Sequence, residues 1–336
     1  MVTVNRSVVL ARRPDGNPVE DDFRVESAEL PALNDGEFLC RNHFVSLDAG
    51  FRKWMNEGAG DEVLPAMALG DPVMGLVLSE VVESHNTDYP VGTWLMARFA
   101  WQEYSISDGS DFIAVLPGEL EFPPSAYMGV LGDTGMSAYF GMTELGQPEP
   151  GETVLISGAG GGVGSIAGQI SKLRGAHTVG IVGSEDKARW ITDTLGYDAA
   201  VIRGDGLQAQ IADACPAGVD LFFDNVGGEL LETAIGVMNH RGRLVLCGAV
   251  SGYGDEEPAP GPRNMFEVVT KELSIRGFMT HFRHERYDEA REQLAVWLRE
   301  GKLVSPEHRL QGIESVARAY ADLFAGRNFG KTVVEL

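Results

Sequence analysis

Basic residues are scarce in this chain: 27 Lys and Arg stand against 49 Asp and Glu, and the formal net charge is −22. A surface with that field repels phosphate backbones and anionic lipid, which argues against nucleic acid and membrane surfaces as partners. A small phosphate-bearing ligand is still allowed, because donors in contact outweigh a distant, screened field. Cysteine is scarce too. Cys40, Cys215 and Cys247 are far apart, odd in number and form no CxxC pair. Neither a disulfide framework nor a structural zinc knuckle fits that spacing. No window approaches the roughly 18 apolar residues of a membrane-spanning helix. The N-terminus, MVTVNRSVVLARRPDG, lacks the unbroken apolar core of a signal peptide, so a cytoplasmic location is the default expectation. Internal repeats and low-complexity segments are also missing.

What is present is an ordinary globular composition, with 44% hydrophobic and 23% charged residues in 336. That length suggests about two domains, at roughly 150 residues each. The first third reads as β. The runs GEFLCRNHFVSLD (36–48), DPVMGLVLSEVVES (71–84) and VGTWLMARFAWQEYSIS (91–107) are β-branched or aromatic and punctuated by Gly, Pro, Asp and Asn. Short strands at close spacing suggest a small barrel or sandwich. The texture changes near residue 125. From Val154, short apolar strands alternate with helical patterns: TVLISGA then SIAGQISKLRG, HTVGIVG then SEDKARWITDTLG, VDLFFDNVG then GELLETAIGVMN, and finally GRLVLCGAV and ELSIRGFM. Such a series packs as an α/β parallel sheet covered on both faces. ERYDEAREQLAVWLREGKL (285–303) is a long amphipathic helix, and SGYGDEEPAPGPRN (251–264) reads as a flexible loop. The tail, FGKTVVEL, returns to strand character and is expected to rejoin the first domain.

The glycine cluster after Val154 carries the chemistry. Ala159, Gly161 and Gly164 form a small-x-small-x-x-Gly turn between a strand and a helix. Small residues there allow a tight bend, close approach of a pyrophosphate and packing of helix on strand. The unpaired N–H groups of the following helix face the phosphates. A Walker A loop would need Lys-Ser/Thr after the last glycine, but Ser165 and Ile166 follow Gly164, and GRNFGKT (326–332) is one residue short with no strand before it. The second strand ends in Gly183-Ser184, with no acidic residue for ribose hydroxyls, and Lys187 follows one turn later. A small polar residue and a cation suit a 2′-phosphate, so the reading favours NADP(H), although Glu185 and Asp186 blur the local sign.

The chemistry can be narrowed by elimination. None of the eight tyrosines has Lys four residues on, which removes the Tyr-x-x-x-Lys pair of short-chain dehydrogenases. Cys40 and His43 have no matching His-Glu near LGDPVMG, and His281 and His284 lack a third ligand at metal spacing, so both sets read as structural and no metal is expected. Hydride transfer to a soft electrophile, such as a carbon–carbon double bond conjugated to a carbonyl, needs no metal.

The pieces NHFVSLD, WQEYSISD, TGMSAYFGM, GAGGGVGS, GSEDK, FFDNVGG, LCGAVSGY, PGP and NFGKT run in one order over nearly the whole chain. In that order the chain resembles the zinc-independent medium-chain dehydrogenases/reductases of the prostaglandin reductase and 2-alkenal reductase branch. The resemblance implies a GroES-like β-barrel catalytic domain (1–125 and 301–336) and a Rossmann domain (126–300) with a doubly wound parallel sheet. It implies that Gly161, Gly162, Val163, Gly164 and Ser165 hold the pyrophosphate, and that Ser184 and Lys187 hold the 2′-phosphate. Asn225 would contact the nicotinamide half, Cys247, Gly248, Ala249 and Val250 would run along the cofactor, Phe278, Met279 and Thr280 would flank the carboxamide, and Asn328 would close the site. Tyr253 matches a tyrosine that points into the substrate pocket, where a phenol can donate to an enone oxygen. Two positions depart from the pattern. Gly50 replaces a tyrosine at the pocket mouth, and Arg203 replaces a tyrosine beside the adenosine phosphate, where its guanidinium is the better phosphate fork. The implied activity is NADPH-dependent reduction of enones or enals in a homodimer. Quinone reduction, or NADPH binding without turnover, are the alternatives.

Overall fold

The computed structural model describes residues 4–254 and 260–336, so part of the loop read at 251–264 lies outside the described residues. In chain order the strands and helices are β1 (Val4–Leu10), β2 (Phe23–Glu29), β3 (Phe38–Ser46), β4 (Met74–Ser84), β5 (Trp94–Ala100), β6 (Tyr104–Ser107), β7 (Ile113–Val115), α1 (Asp133–Phe140), β8 (Thr153–Ser157), α2 (Gly162–Leu173), β9 (His177–Val182), α3 (Glu185–Leu195), β10 (Ala199–Ile202), α4 (Leu207–Ala214), β11 (Val219–Asp224), α5 (Gly228–Val237), β12 (Met238–Leu246), α6 (Phe266–Thr270), β13 (Ser274–Gly277), α7 (Tyr287–Arg299), β14 (Glu307–Gln311), α8 (Val316–Phe324) and β15 (Lys331–Glu335). The chain divides into two compact units. One holds residues 1–128, 308–327 and 332–336, and the other holds 129–307 and 328–331.

The first unit is built on a seven-stranded sheet ordered β14-β15-β3-β4-β5-β7, with β6 on β3, and on the antiparallel pair β1-β2. β3 pairs antiparallel with β4, β6 and β15, so the C-terminal strand completes this sheet. Alternation in β3 sends Phe38, Cys40 and Asn42 inward. The core gathers Phe38, Val45, Val77, Leu95 and Trp101, with Val316 and Tyr320 from α8. Phe23, Trp101 and Tyr320 meet edge-on or tilted at ring-centre distances of 4.9–5.8 Å, the geometry favoured by ring quadrupoles.

The second unit is a parallel six-stranded sheet ordered β10-β9-β8-β11-β12-β13. Numbered from β8, that order is 3-2-1-4-5-6, the Rossmann arrangement, and its direction reverses between β8 and β11. Both central strands are buried on each face, which is why TVLIS and VDLFFD read as continuous apolar runs. Leu155, Val179, Phe222 and Leu244 from four strands join Ile211, Ala234 and Ile235 from the helices. Among the described residues no helix is long and apolar enough to cross a membrane.

Candidate active site

The reversal between β8 and β11 is fixed by a buried polar pair. Ser157, the last residue of β8, donates through Oγ to Asp224 Oδ1 at 2.6 Å, and Asp224 is the last residue of β11. The same carboxylate oxygen accepts from the backbone N–H of Val226 and of Gly227. Burial pushes the Asp224 carboxyl above its ordinary value, against the opposing effect of these donors. Asn225 is tied to the same strand end: its N–H donates to Ser157 Oγ, and its Nδ2 donates to the Ser157 carbonyl at 2.7 Å. Asp224 was not singled out from the sequence. Its partner lies 67 residues away, and a polar residue closing an apolar strand carries no separate signal.

The glycine turn follows β8. Gly161 is the N-cap of α2 and offers no side-chain cap, so the first N–H groups of the helix, from Gly162, Val163 and Gly164, remain open to a ligand. The turn has no room for larger residues. A Cβ on Gly164 would lie 2.3 Å from the Gly158 carbonyl oxygen, and one on Gly160 would lie 3.0 Å from Cδ of Lys187. Ser165 is spent inside the helix, donating to the Gly162 carbonyl at 2.8 Å. Tyr197, fully buried, donates to the Gly164 carbonyl at 2.7 Å and holds the helix start from behind.

Lys187, read from the sequence as the cofactor's cation, lies in the first turn of α3, after β9. Ser184 caps α3 by accepting from Lys187 N–H at 3.3 Å. Lys187 is only 7% exposed and lies against the glycine turn. Burial and the nearby Arg203 guanidinium both hold its ammonium below the usual lysine range. A buried ammonium that lies near a second cation favours an anionic ligand. An open helix N-terminus, a turn closed tightly at Gly164 and a buried lysine beside it together suit a phosphate-bearing ligand.

A cavity of about 530 Å³ opens at the strand ends on the β11–β12–β13 side. Cys247, Gly248, Ala249, Tyr253, Phe278 and Met279 line it together with Asp224, Leu231 and Phe282. The structure thus brings together six residues read from the sequence. Val250, Asn225, Thr280 and Asn328 are not among the lining residues. Thr280 is buried, with its hydroxyl 3.3 Å from that of Ser137, and Asn328 Nδ2 donates to the Gly330 carbonyl at 2.9 Å. The Tyr253 hydroxyl accepts from the Ala249 N–H at 3.1 Å, so its own proton remains available to donate. Burial raises the Tyr253 phenol above its ordinary value and pushes the Cys247 thiol up to about 12, so both stay protonated at neutral pH.

Comparison with known proteins places this geometry. Residues 6–115 match the family described as the N-terminal domain of oxidoreductase, and residues 162–295 match the family described as zinc-binding dehydrogenase. The NADPH-dependent curcumin reductase of Escherichia coli is 35% identical over 99% of this chain and 97% of its own. Prostaglandin reductase 1 of Bos taurus is 36% identical over 98% of each chain. The crystal structure of CurA in complex with NADPH from Vibrio vulnificus superposes with a TM-score of 0.90 at 34% identity over 98% of each chain. The chain belongs to the zinc-independent prostaglandin reductase branch of the medium-chain dehydrogenases/reductases.

As a member of that family it is an NADP(H)-dependent oxidoreductase. Cys40 is buried in β3, its thiol pushed up to about 12 by burial, and His43 faces Glu80 at 3.3 Å and Trp94 at a ring-centre distance of 4.7 Å. His284 is turned toward the His281 carbonyl at 3.0 Å. Among the described residues no three His, Cys, Asp or Glu side chains converge as a metal site.

Proposed function

We propose that the enzyme reduces the conjugated carbon–carbon double bond of α,β-unsaturated ketones and aldehydes with NADPH. The observation that carries the reading is the Tyr253 hydroxyl on the wall of an otherwise largely apolar cavity, its oxygen already accepting from Ala249 and its proton left for a substrate oxygen. When bound, NADPH supplies a hydride to the β-carbon. Tyr253 donates to the carbonyl oxygen, where negative charge collects, and a donor so placed is worth about 10²–10³ in rate. Leu231, Met279 and Phe282 present apolar surface to the substrate and keep water away from that oxygen. The α-carbon takes its proton from water. The open N–H groups of Gly162, Val163 and Gly164 in the first turn of α2 hold the pyrophosphate, Gly161 and Ser165 shape that turn through their own internal bonds, and Ser184, Lys187 and Arg203 hold the 2′-phosphate. Cys247, Gly248, Ala249, Phe278 and Met279 line the nicotinamide half, and Asn225, Val250, Thr280 and Asn328 support it from outside the cavity wall. In this reading the six-stranded unit (129–307 and 328–331) is the dinucleotide-binding domain and the seven-stranded unit is the GroES-like catalytic domain, close to the expected 126–300 and 1–125 with 301–336, except that residues 328–331 fall with the six-stranded unit. The names of the relatives, a curcumin reductase and a prostaglandin reductase, support the substrate class.

A homodimer is part of the proposal. β13 is an edge strand with β12 on one side only, and beside it α6 exposes Phe266 and Val269. An open edge with apolar residues next to it favours pairing with a second copy.

The test is a panel of medium-chain enones, enals and benzoquinones, each with NADPH and NADH. Turnover of enones and enals with NADPH above that of quinones is expected. Quinone turnover alone would replace the substrate class, and NADPH binding without any oxidation would replace the enzymatic reading.

A further inference from the structure

Lys187 is a long, flexible side chain, yet it is buried and held. Its stem packs on the glycine turn, where Cγ and Cδ lie 3.4 and 3.0 Å from the place a Gly160 Cβ would take. Its ammonium lies 5.8 Å from the centre of the Phe329 ring. Phe329 is met edge-on by Trp190, with ring centres 5.4 Å apart and planes at 87°. Trp190 stands three residues after Lys187 on α3, so cation and aromatic prop come from one helix face. Phe329 is equally fixed. Gly330 N–H donates to the Gly160 carbonyl at 2.9 Å, Gly161 and Gly330 form a parallel bridge, and Lys331 N–H donates to the Pro306 carbonyl at 2.9 Å. The segment carrying Phe329 is thus stitched to the same turn that Lys187 covers.

The neighbouring acids of α3 do not divert Lys187. Asp186 pairs with Arg189 at 2.5 Å, and neither it nor Glu185 forms an ion pair with Lys187. An aromatic face attracts an ammonium through its quadrupole while displacing the water that would otherwise solvate it.

We infer that Phe329, braced by Trp190, is a positioning residue that holds Lys187 toward the glycine turn and so sets the preference for a 2′-phosphorylated cofactor. The inference rests on the proposed role of Lys187 at the 2′-phosphate. It assigns to two aromatic residues a specificity that their own chemistry would not suggest, since neither carries a charge.

The test is calorimetric binding of 2′,5′-ADP and of 5′-AMP to the full chain without substrate, followed by KM and kcat with NADPH and NADH. Phe329→Leu should weaken 2′,5′-ADP about fivefold, the scale of one partly desolvated cation–π contact, with 5′-AMP affinity held. Phe329→Tyr should restore it, and Trp190→Leu should weaken it where Trp190→Phe does not. The loss should appear in KM for NADPH and not in kcat. In a Lys187→Ala background Phe329→Leu should change nothing further, because the residue it positions is gone. Equal losses for 2′,5′-ADP and 5′-AMP, or additivity with Lys187→Ala, would overturn the positioning role. Undiminished discrimination in Lys187→Ala alone would instead remove the 2′-phosphate assignment beneath it.

Discussion

The Tyr253 oxygen accepts one bond, from Ala249 N–H, and keeps its proton to donate, and this asymmetry makes a prediction sharper than burial alone would. Tyr253→Phe keeps the ring in the cavity wall and removes only the donor. Enone turnover should fall about 10-fold or more, the lower end for a lost oxyanion donor, while NADPH affinity stays nearly unchanged. Steady-state kinetics beside a fluorescence titration of NADPH would show it, and an unchanged kcat would remove the role. Burial raises this phenol above the ordinary tyrosine value, so the donor form persists further into alkaline pH than a free phenol would. Its contribution to kcat should therefore be flat through neutral and mildly alkaline pH and be lost only as pH rises through that elevated value. Tyr253 was legible because it sits in a recognisable run, LCGAVSGY. Asp224 was not, although it lines the same cavity. A residue that works by holding Ser157, Val226 and Gly227 leaves its meaning in contacts across the fold, and those are absent from any short window of sequence.

At the scale of elements, the start of α2 is set from two sides. Gly164 is pressed against Gly158 and Ala159, while Tyr197, one residue beyond the αL cap Gly196 of α3, bonds the Gly164 carbonyl from the rear. Gly164→Ala places a methyl 2.3 Å from a carbonyl oxygen and 2.8 Å from a Cα, and backbone cannot swing aside as a side chain can. The turn must open, at a cost of about 1–3 kcal/mol for an overpacked site. NADPH binding should weaken about 10-fold or more as the helix N–H groups lose their aim. Tyr197→Phe separates the two contributions. It leaves packing intact and removes the second bond to a carbonyl that still accepts within α2, so denaturant unfolding should show a loss of about 1 kcal/mol with a much smaller change in cofactor affinity. A Tyr197→Phe protein with native stability would show that the rear contact is idle. The elements around this turn were the most readable in the chain, because a strand buried on both faces and an amphipathic helix leave strong periodic patterns, as in TVLIS and SEDKARWITDTL. Other elements were not. β10 is four residues, AAVI, too short for a period, and β14, EHRLQ, is an edge strand whose polar side chains mask its alternation. α1 runs on as a π-turn at Gly141–Gly146, where a Cβ on Gly141 would meet Phe223 at 2.5 Å, so its geometry follows the packing of another strand and not its own propensity.

Over the whole molecule, a charge of −22 pulls in two directions on one polyanionic cofactor. The field of the protein repels it, while Lys187, Arg203 and the α2 N-terminus attract it at contact. Salt tells these apart. The long-range part decays over about 10 Å at 0.1 M ionic strength, whereas partly buried contacts are screened less but still lose strength to competing anions. If the field ruled, added salt would tighten NADPH. The burial of Lys187 against the glycine turn argues that contact rules. The dissociation constant should therefore rise between 10 and 200 mM NaCl, on the order of severalfold, as expected for charge-assisted phosphate contacts. Folding has no such local exception. The same 49 acids repel one another throughout the compact state, so screening them should raise the melting temperature of the cofactor-free protein over that range. Differential scanning fluorimetry and an NADPH titration in the same buffers would measure both. A dissociation constant that falls with salt, in step with the rising melting temperature, would mean that overall repulsion and not the Lys187–Arg203 pair governs cofactor capture.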